Sequence, residues 1–173
     1  MVDYTSFPPI GQNDNFSCWA ACLSWWLTAN SRQPSTQNDL LVEFNYLASQ
    51  SDSGTVSADD FMNKIVPTPR FNMQAARFEI DQIAQMRDIS GLLPLTLAPN
   101  IVVWQKFLPG PGVIGFHMNV CFDQQQNGDT TTVMCMEPWF PENVADGQRT
   151  GVFMRKNVPD FLKTSPLIIA CAN

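Results

Sequence analysis

Charge is scarce in this chain. Only 15% of the 173 residues are charged, whereas 45% are hydrophobic, and the balance is acidic with a formal net charge of −6. A basic face that binds nucleic acid is therefore not expected. The high apolar content and the five tryptophans also exclude an intrinsically disordered chain.

Long apolar runs are missing as well. No segment approaches the roughly 18 uninterrupted apolar residues that a membrane-spanning helix needs. The stretch before Pro9 has neither the basic start nor the apolar centre of a signal peptide. We therefore expect no membrane partner. The expected location is a cytoplasm, or a target cell reached without a signal peptide, unless the chain is part of a longer protein.

The five cysteines are an odd number, so at least one thiol stays unpaired. Their spacing is not that of a dense disulfide framework, which favours mostly reduced thiols. A zinc site made of Cys18, Cys22, Cys121 and Cys135 is disfavoured, because the spacing differs from that of zinc-binding motifs. We expect no metal and no other cofactor.

One stretch of the sequence carries a chemical pattern. Gln12 lies six residues before Cys18, and Cys18 opens an apolar run of helical length that continues with Trp19. A thiol at a helix N-terminus lies at the positive end of the helix dipole, which favours the thiolate. Cys18 is therefore the candidate nucleophile. Gln12, together with the Cys18 backbone N–H, is the candidate donor to an oxyanion. The structural alternatives are a buried core cysteine and an ordinary loop amide.

His117 is the only histidine of the chain and the candidate general base, with no competitor of its type near neutral pH. Glu137, followed by Pro138 and Trp139, is the candidate that orients the imidazole. Asn119 and Asp123 are the fallback candidates for that role. We expect Trp139 to cover the His117–Glu137 hydrogen bond from water, or simply to pack there.

These residues resemble those of the papain-like cysteine proteases. The glutamine-to-Cys-Trp spacing is the same, as is the order of nucleophile, histidine, polar orienter and tryptophan. The residues before Cys18 depart from the papain signature, and the interval to His117 is shorter. That layout is similar to the compact bacterial branch: staphopains, avirulence-type proteases and the leader-cleaving peptidase domains of bacteriocin exporters. Relatives usually carry Asn or Asp where Glu137 stands.

The resemblance implies a cysteine endopeptidase that cleaves protein substrates with a Cys18–His117–Glu137 triad. It places Gln12 in the oxyanion hole and Trp19 and Trp139 beside the substrate. A deamidase, a transglutaminase, a cell-wall amidase and a non-catalytic binding module on the same scaffold stay open.

Such compact units are similar to effectors and toxins that bacteria deliver into other cells, often controlled by an immunity or inhibitor protein. We expect a monomer that acts on a cytosolic target protein. A housekeeping peptidase is the alternative.

The order of predicted elements is typical of a papain-like α+β domain spanning 1–173, with a helical half over about 1–90 and a sheet half over about 91–173. A central helix is predicted from Cys18 to about Ala29, with Ser17 as its N-cap. Further helices are predicted after Thr36 through Leu47, from Ser57 to about Ile65, and over 79–88.

Five strands are predicted in the second half, with a hairpin at Asn127-Gly128: 92–103, 113–122, 130–136, 153–155 and 166–170. Leu92–Pro99 and the loop between Trp139 and Gly151 are the candidate walls of a substrate cleft. The acidic stretch 142–146 is interpreted as a solvated segment, with a preference for basic substrates as the alternative.

Overall fold

The computed structural model describes residues 2–49, 56–79, 99–107, 114–161 and 166–173. It combines helices with one antiparallel sheet, so the predicted α+β class is confirmed. The helices are α1 (Cys18–Ala29), α2 (Gln37–Glu43), α3 (Asn45–Ser49), α4 (Ala58–Asp60) and α5 (Val158–Phe161), with a 3₁₀ turn at Tyr4–Ser6 and a π turn at Phe61–Ile65. The strands are β1 (Met73–Phe78), β2 (Asn100–Phe107), β3 (Ile114–Asn127), β4 (Thr130–Glu137), β5 (Val152–Asn157) and β6 (Leu167–Ala172).

The six strands form one sheet in the order β1-β6-β2-β3-β4-β5, and all neighbours are antiparallel. The predicted hairpin is present: β3 and β4 pair up to Asn127 opposite Thr130, and Gly128 in the turn has a φ of 60°. β1 lies in the half that was predicted to be helical. Its pairing with β6, from near the opposite end of the chain, satisfies its backbone groups, and no local pattern indicates that pairing.

Helix α1 is buried on nearly all sides, as its apolar sequence predicts. Eleven of its 12 residues are buried. The Trp25 ring stacks on Phe122 of β3 at 5.5 Å between centroids, and the Trp26 indole N–H donates to the Pro99 carbonyl at 2.8 Å. Burial of each such large side chain contributes roughly 1.5–3 kcal/mol to stability. The helix is thus fixed against the sheet, and so is the position of Cys18 at its first turn.

The predicted N-cap of α1 is wrong in its mechanism. Ser17 does precede the helix, but its hydroxyl makes no capping bond. The Ser17 carbonyl accepts the N–H groups of Ala20 and Ala21, whereas its Oγ accepts the N–H of Asp14 at 3.1 Å. A serine hydroxyl can serve a helix end or a preceding turn. Here it tightens the loop that leads from Gln12 to the helix.

The second predicted helix is interrupted. It forms as α2 and α3, with the buried ring of Phe44 between them. Thr36 and Asp39 form a capping box at its start. The cap at Ser57 is confirmed, because its Oγ accepts the Asp60 N–H at 3.0 Å. The predicted helix at 79–88 and the cleft wall at 92–99 lie, except for their end residues 79 and 99, outside the described residues.

Alternation along β3 separates two sets of side chains. Met118, Val120 and Phe122 belong to the core cluster that contains α1. Cys121 belongs to the second cluster, on the opposite face of the sheet. Side chains alternate along a strand, so His117 and Asn119 share the strand face of Cys121. The backbone of Met118, between them, contacts the Cys18 thiol of α1. None of the described helices combines the length and the apolar character needed to cross a bilayer.

Candidate active site

The clearest feature of the site is a buried contact between the only histidine and a carboxylate. Nε2 of His117 on β3 lies 2.6 Å from Oε1 of Glu137 at the end of β4, and each side chain is 4% exposed. An ionised carboxylate can only accept, so Nε2 is the donor. The lone pair of the neutral ring therefore lies on Nδ1. The predicted pairing of His117 with Glu137 is present in the structure.

Glu137 has four hydrogen-bond partners. Its Oε1 also accepts the Trp139 backbone N–H at 2.9 Å, and its Oε2 accepts from Asn119 Nδ2 at 3.1 Å and from Lys156 Nζ. Burial disfavours the charged carboxylate, but His117 and Lys156 outweigh it and hold the pKa of Glu137 well below its usual range. Glu137 is thus a fixed anion at any pH near neutrality.

The two fallback candidates for the orienting role are placed differently. Asn119 joins the network through Glu137 and also accepts the Trp104 indole N–H on Oδ1 at 2.9 Å. Asp123 is exposed and pairs with Arg155 at 2.6 Å. Asn119 therefore supports the orienting carboxylate, whereas Asp123 is engaged elsewhere.

The thiol of Cys18 lies beside the backbone of the residue that follows His117. Burial raises the pKa of Cys18 to about 12, while a hydrogen bond from the Met118 backbone N–H acts in the opposite direction. The Glu137 carboxylate adds to the rise. The position at the helix N-terminus favours the thiolate, but desolvation has the larger effect on the pKa of Cys18. Ionisation of Cys18 near neutral pH requires a proton acceptor.

Gln12 is fully buried in the loop before α1. Its backbone N–H donates to the Pro138 carbonyl at 3.0 Å, which ties this loop to the segment that follows Glu137. Its side-chain Nε2 donates to the Asp14 carbonyl, and its Oε1 has no partner among the described residues. An amide nitrogen carries two hydrogens, so the Asp14 contact uses one of them. The structure thus holds Gln12 between the start of α1 and the end of β4.

Gln37, at the first position of α2, clamps the loop on both sides of Gln12. Its Nε2 donates to the Gly11 carbonyl at 3.0 Å, and its Oε1 accepts the Asn13 N–H at 2.8 Å. This single buried amide therefore satisfies two backbone groups of a loop that lies outside any regular element. Sequence reasoning missed Gln37, because a glutamine at a helix start carries no signal for a loop 24 residues away.

The same loop crosses the segment after Trp139 at very close range. A Cβ on Gly11 would lie 2.0 Å from the Arg149 carbonyl oxygen, and a Cβ on Gly151 would lie 2.7 Å from the Ile10 carbonyl. Only glycine permits such an approach of two backbones. This crossing places the predicted cleft wall between Trp139 and Gly151 directly against the Gln12 loop.

The two tryptophans predicted to contact substrate differ in exposure. Trp19 is 2% exposed and packs edge-on against Phe44 at 6.0 Å, so it lies in the core. Trp139 is half-buried and carries the Arg149 guanidinium over its ring at 4.5 Å. Contact of either ring with substrate stays a prediction, and Trp139 is the more accessible of the two.

Arg149 is a second residue that sequence reasoning missed. It bonds Asn15 at 3.0 Å and Asp146 at 3.2 Å, while its side chain is only 3% exposed. It thereby joins three segments: the lead-in loop, the stretch 142–146 and the Trp139 ring. Glu142 and Asp146 themselves are exposed, which agrees with the interpretation of this stretch as solvated.

The remaining cysteines are free thiols. Cys22 is buried in α1, and Cys121 and Cys135 face each other across β3 and β4 with 3.3 Å between their sulfurs. Burial raises the pKa of Cys22 and of Cys121 well above the ordinary thiol value. Within the described residues, no group of three or more Cys, His, Asp or Glu side chains is arranged to hold a metal ion.

Comparison with protein-family models gave no matching family, and comparison with curated proteins gave no matching relative.

Proposed function

We propose that this chain is a papain-like cysteine endopeptidase that cleaves protein substrates, with Cys18 as nucleophile and His117 as general base. The observation that carries the proposal is the buried hydrogen bond between His117 Nε2 and Glu137 Oε1. The residue after His117 on the same strand, Met118, contacts the Cys18 thiol through its backbone. Nucleophile, base and orienting group are the three parts that thiol catalysis requires.

The first step is proton transfer. Because Nε2 of His117 donates to Glu137, Nδ1 is the ring atom that takes the proton from Cys18. The resulting imidazolium faces the fixed anion of Glu137, and the thiolate–imidazolium pair replaces a thiol that burial otherwise keeps protonated. With a pKa of about 12, a thiol unaided by a base is ionised to only about one part in 10⁵ at pH 7.

The thiolate then attacks the carbonyl carbon of the scissile amide, and a tetrahedral oxyanion forms. The Cys18 backbone N–H and the second hydrogen of Gln12 Nε2 stabilise that oxyanion. The imidazolium of His117 protonates the leaving amine, which departs and leaves a thioester on Cys18. Water, deprotonated by His117, hydrolyses the thioester and restores the thiol.

The biological setting in this proposal is a monomeric bacterial effector or toxin that acts on a cytosolic target protein and is restrained by an immunity or inhibitor protein. The spacing of Gln12, Cys18 and Trp19, which resembles that of compact bacterial papain-like units, supports it. No metal or cofactor takes part in the proposed reaction.

The experiment that tests the proposal is labelling with an epoxysuccinyl inhibitor, read residue by residue by mass spectrometry. In the wild type we expect stoichiometric labelling of Cys18 alone. In His117→Ala we expect the labelling rate to fall by at least about 10³-fold. Cys18 then has no general base, and its raised pKa leaves almost all of the thiol protonated. The residual rate of the variant should rise about tenfold per pH unit above neutrality, because the raised pKa of Cys18 keeps most of the thiol protonated there.

Cys171 supplies the internal control, because it is the only one of the five cysteines that is not buried. Iodoacetamide should modify it at equal rates in wild type and variant. His117→Gln is the second variant in case the alanine variant does not fold. An equal rate of Cys18 labelling in the wild type and in both His117 variants contradicts the proposal, as does labelling at Cys171 only. If Cys18 labelling depends on His117, new N-termini in a digested protein mixture distinguish a peptidase from a deamidase, which converts glutamine to glutamate without cleavage.

A further inference from the structure

Lys156 is a half-buried cation that the proposed triad does not need. It lies on β5, next to β4 in the sheet, and its side chain is 15% exposed. Its Nζ contacts Oε2 of Glu137 and lies 3.1 Å from Oδ1 of Asn119. It also lies 5.3 Å from the centre of the Trp104 ring. A single ammonium group thus reaches three side chains on the face of the sheet that carries His117.

An imidazole needs one carboxylate oxygen to orient it, yet both oxygens of Glu137 are occupied. Oε1 serves His117 and the Trp139 N–H, and Oε2 is held by Asn119 and Lys156. With Oε2 bound at two points, the carboxylate cannot rotate without losing several hydrogen bonds. Desolvation of a lysine is costly and is offset only by good partners. The arrangement is therefore stable only as a complete network.

Charge is the second consequence. A buried carboxylate alone would stabilise the imidazolium strongly, and an imidazolium that is too stable is a poor proton donor to a leaving amine. Lys156, bound to Oε2, offsets part of the negative charge of Glu137 that acts on the imidazolium. In the described residues, His117 contacts Glu137 from β4 and the uncharged Trp104 ring from β2. The other titratable groups of this network act on Glu137: Lys156 from β5 and the Cys18 and Cys22 thiols from α1.

We propose that Lys156 is a positioning residue for the reaction: with Asn119 it fixes Glu137 so that Oε1 stays aimed at Nε2 of His117, and its charge weakens the hold of Glu137 on the imidazolium. The catalytic role of Lys156 rests on the proposed function. Its effect on the proton affinity and tautomer of His117 does not, and can be measured without activity. The papain-like resemblance did not indicate it, because the contact depends on β5 lying beside β4.

The test is an NMR titration of the imidazole, which is unambiguous because the chain has one histidine. Three variants separate charge from hydrogen bonding: Lys156→Arg keeps both, Lys156→Gln keeps a donor without charge, and Lys156→Met keeps neither. We expect the proton affinity of His117 to rise about tenfold, one pKa unit, in the Gln and Met variants and to stay near the wild-type value in the Arg variant.

The ¹⁵N shifts of the same ring report its tautomer. The Nε2–H form should dominate in the wild type, Arg and Gln proteins and should lose population in Lys156→Met. Lys64→Met is the matched control, because Lys64 is 46% exposed and pairs with Asp60 four residues earlier. It should change neither quantity. If Lys156→Met does not fold, Lys156→Gln still decides whether the charge acts on His117.

An unchanged titration in both Lys156→Gln and Lys156→Met overturns the proposal, as does a shift of equal size in Lys64→Met. The NMR titration requires no activity, so the two proposals fail separately. Absence of Cys18 labelling in the wild type would refute the peptidase while the titration still measures the effect of Lys156. If labelling succeeds, its rate in Lys156→Met should reach its plateau at a pH about one unit higher than in the wild type.

Discussion

Gly11→Ala is the substitution that tests most directly how the Gln12 loop is positioned. The new Cβ would lie 2.0 Å from the Arg149 carbonyl oxygen, whereas ordinary contact begins at 3.4 Å, so the two backbones must separate by roughly 1.4 Å. Both partners in the clash are main-chain atoms, which cannot turn aside as a side chain can. The loop that carries Gln12 must therefore move as a unit.

Three hydrogen bonds would be lost in that movement: Gln12 N–H to the Pro138 carbonyl at 3.0 Å, and the two Gln37 contacts at 3.0 and 2.8 Å. Each is worth about 0.5–1.5 kcal/mol, which together is about 3 kcal/mol. For a protein of this size that corresponds to a fall in Tm of about 6–12 °C. Thermal unfolding followed by circular dichroism measures it.

The functional effect is measured well below the Tm of the variant. Displacement of one oxyanion donor should lower turnover of a peptide substrate by about 10²-fold. Gly128→Ala is the control, since Gly128 has a φ of 60° and open space around its Cα, so it costs only about 1–2 kcal/mol of backbone strain. It should leave turnover unchanged. Wild-type turnover in Gly11→Ala, or an equal loss in both variants, would refute the reasoning.

Two further predictions concern the site itself. Gln12→Ala should lower kcat by about 10²–10³-fold with little change in KM, as measured by steady-state kinetics; a rise in KM alone would contradict an oxyanion role. Glu137 has a pKa held below its ordinary value of 4.5, so its ionised form stabilises the fold above that pH and the contribution is lost as the pH falls below it. The free energy of unfolding, measured in urea between about pH 5 and pH 3, should therefore fall more steeply in the wild type than in Glu137→Gln; parallel curves would show that Glu137 is not a source of acid sensitivity.

Local patterns in the sequence were sufficient for the main elements. The bounds of α1, the hairpin at Asn127-Gly128 and the cap at Ser57 follow from short-range apolar periodicity, turn residues and capping residues. The pairing of His117 with Glu137 was also predicted, from the resemblance rather than from any local pattern. Ser17 shows the limit, because its hydroxyl has two competing backbone partners nearby and the sequence does not decide between them.

Tertiary structure alone decided the environment of those residues. Lys156 reaches Glu137 because β5 pairs with β4, Gln37 clamps a loop 24 residues earlier, and Gly11 lies against Gly151 across most of the chain. The pKa of Cys18 shows the same division. Its position at the helix N-terminus can be predicted from the sequence and favours the thiolate. Its burial, which has the larger effect, arises only when the helix packs on the sheet. Side-chain chemistry and short-range order are local properties of the chain, but desolvation and contacts between distant segments exist only in the folded state.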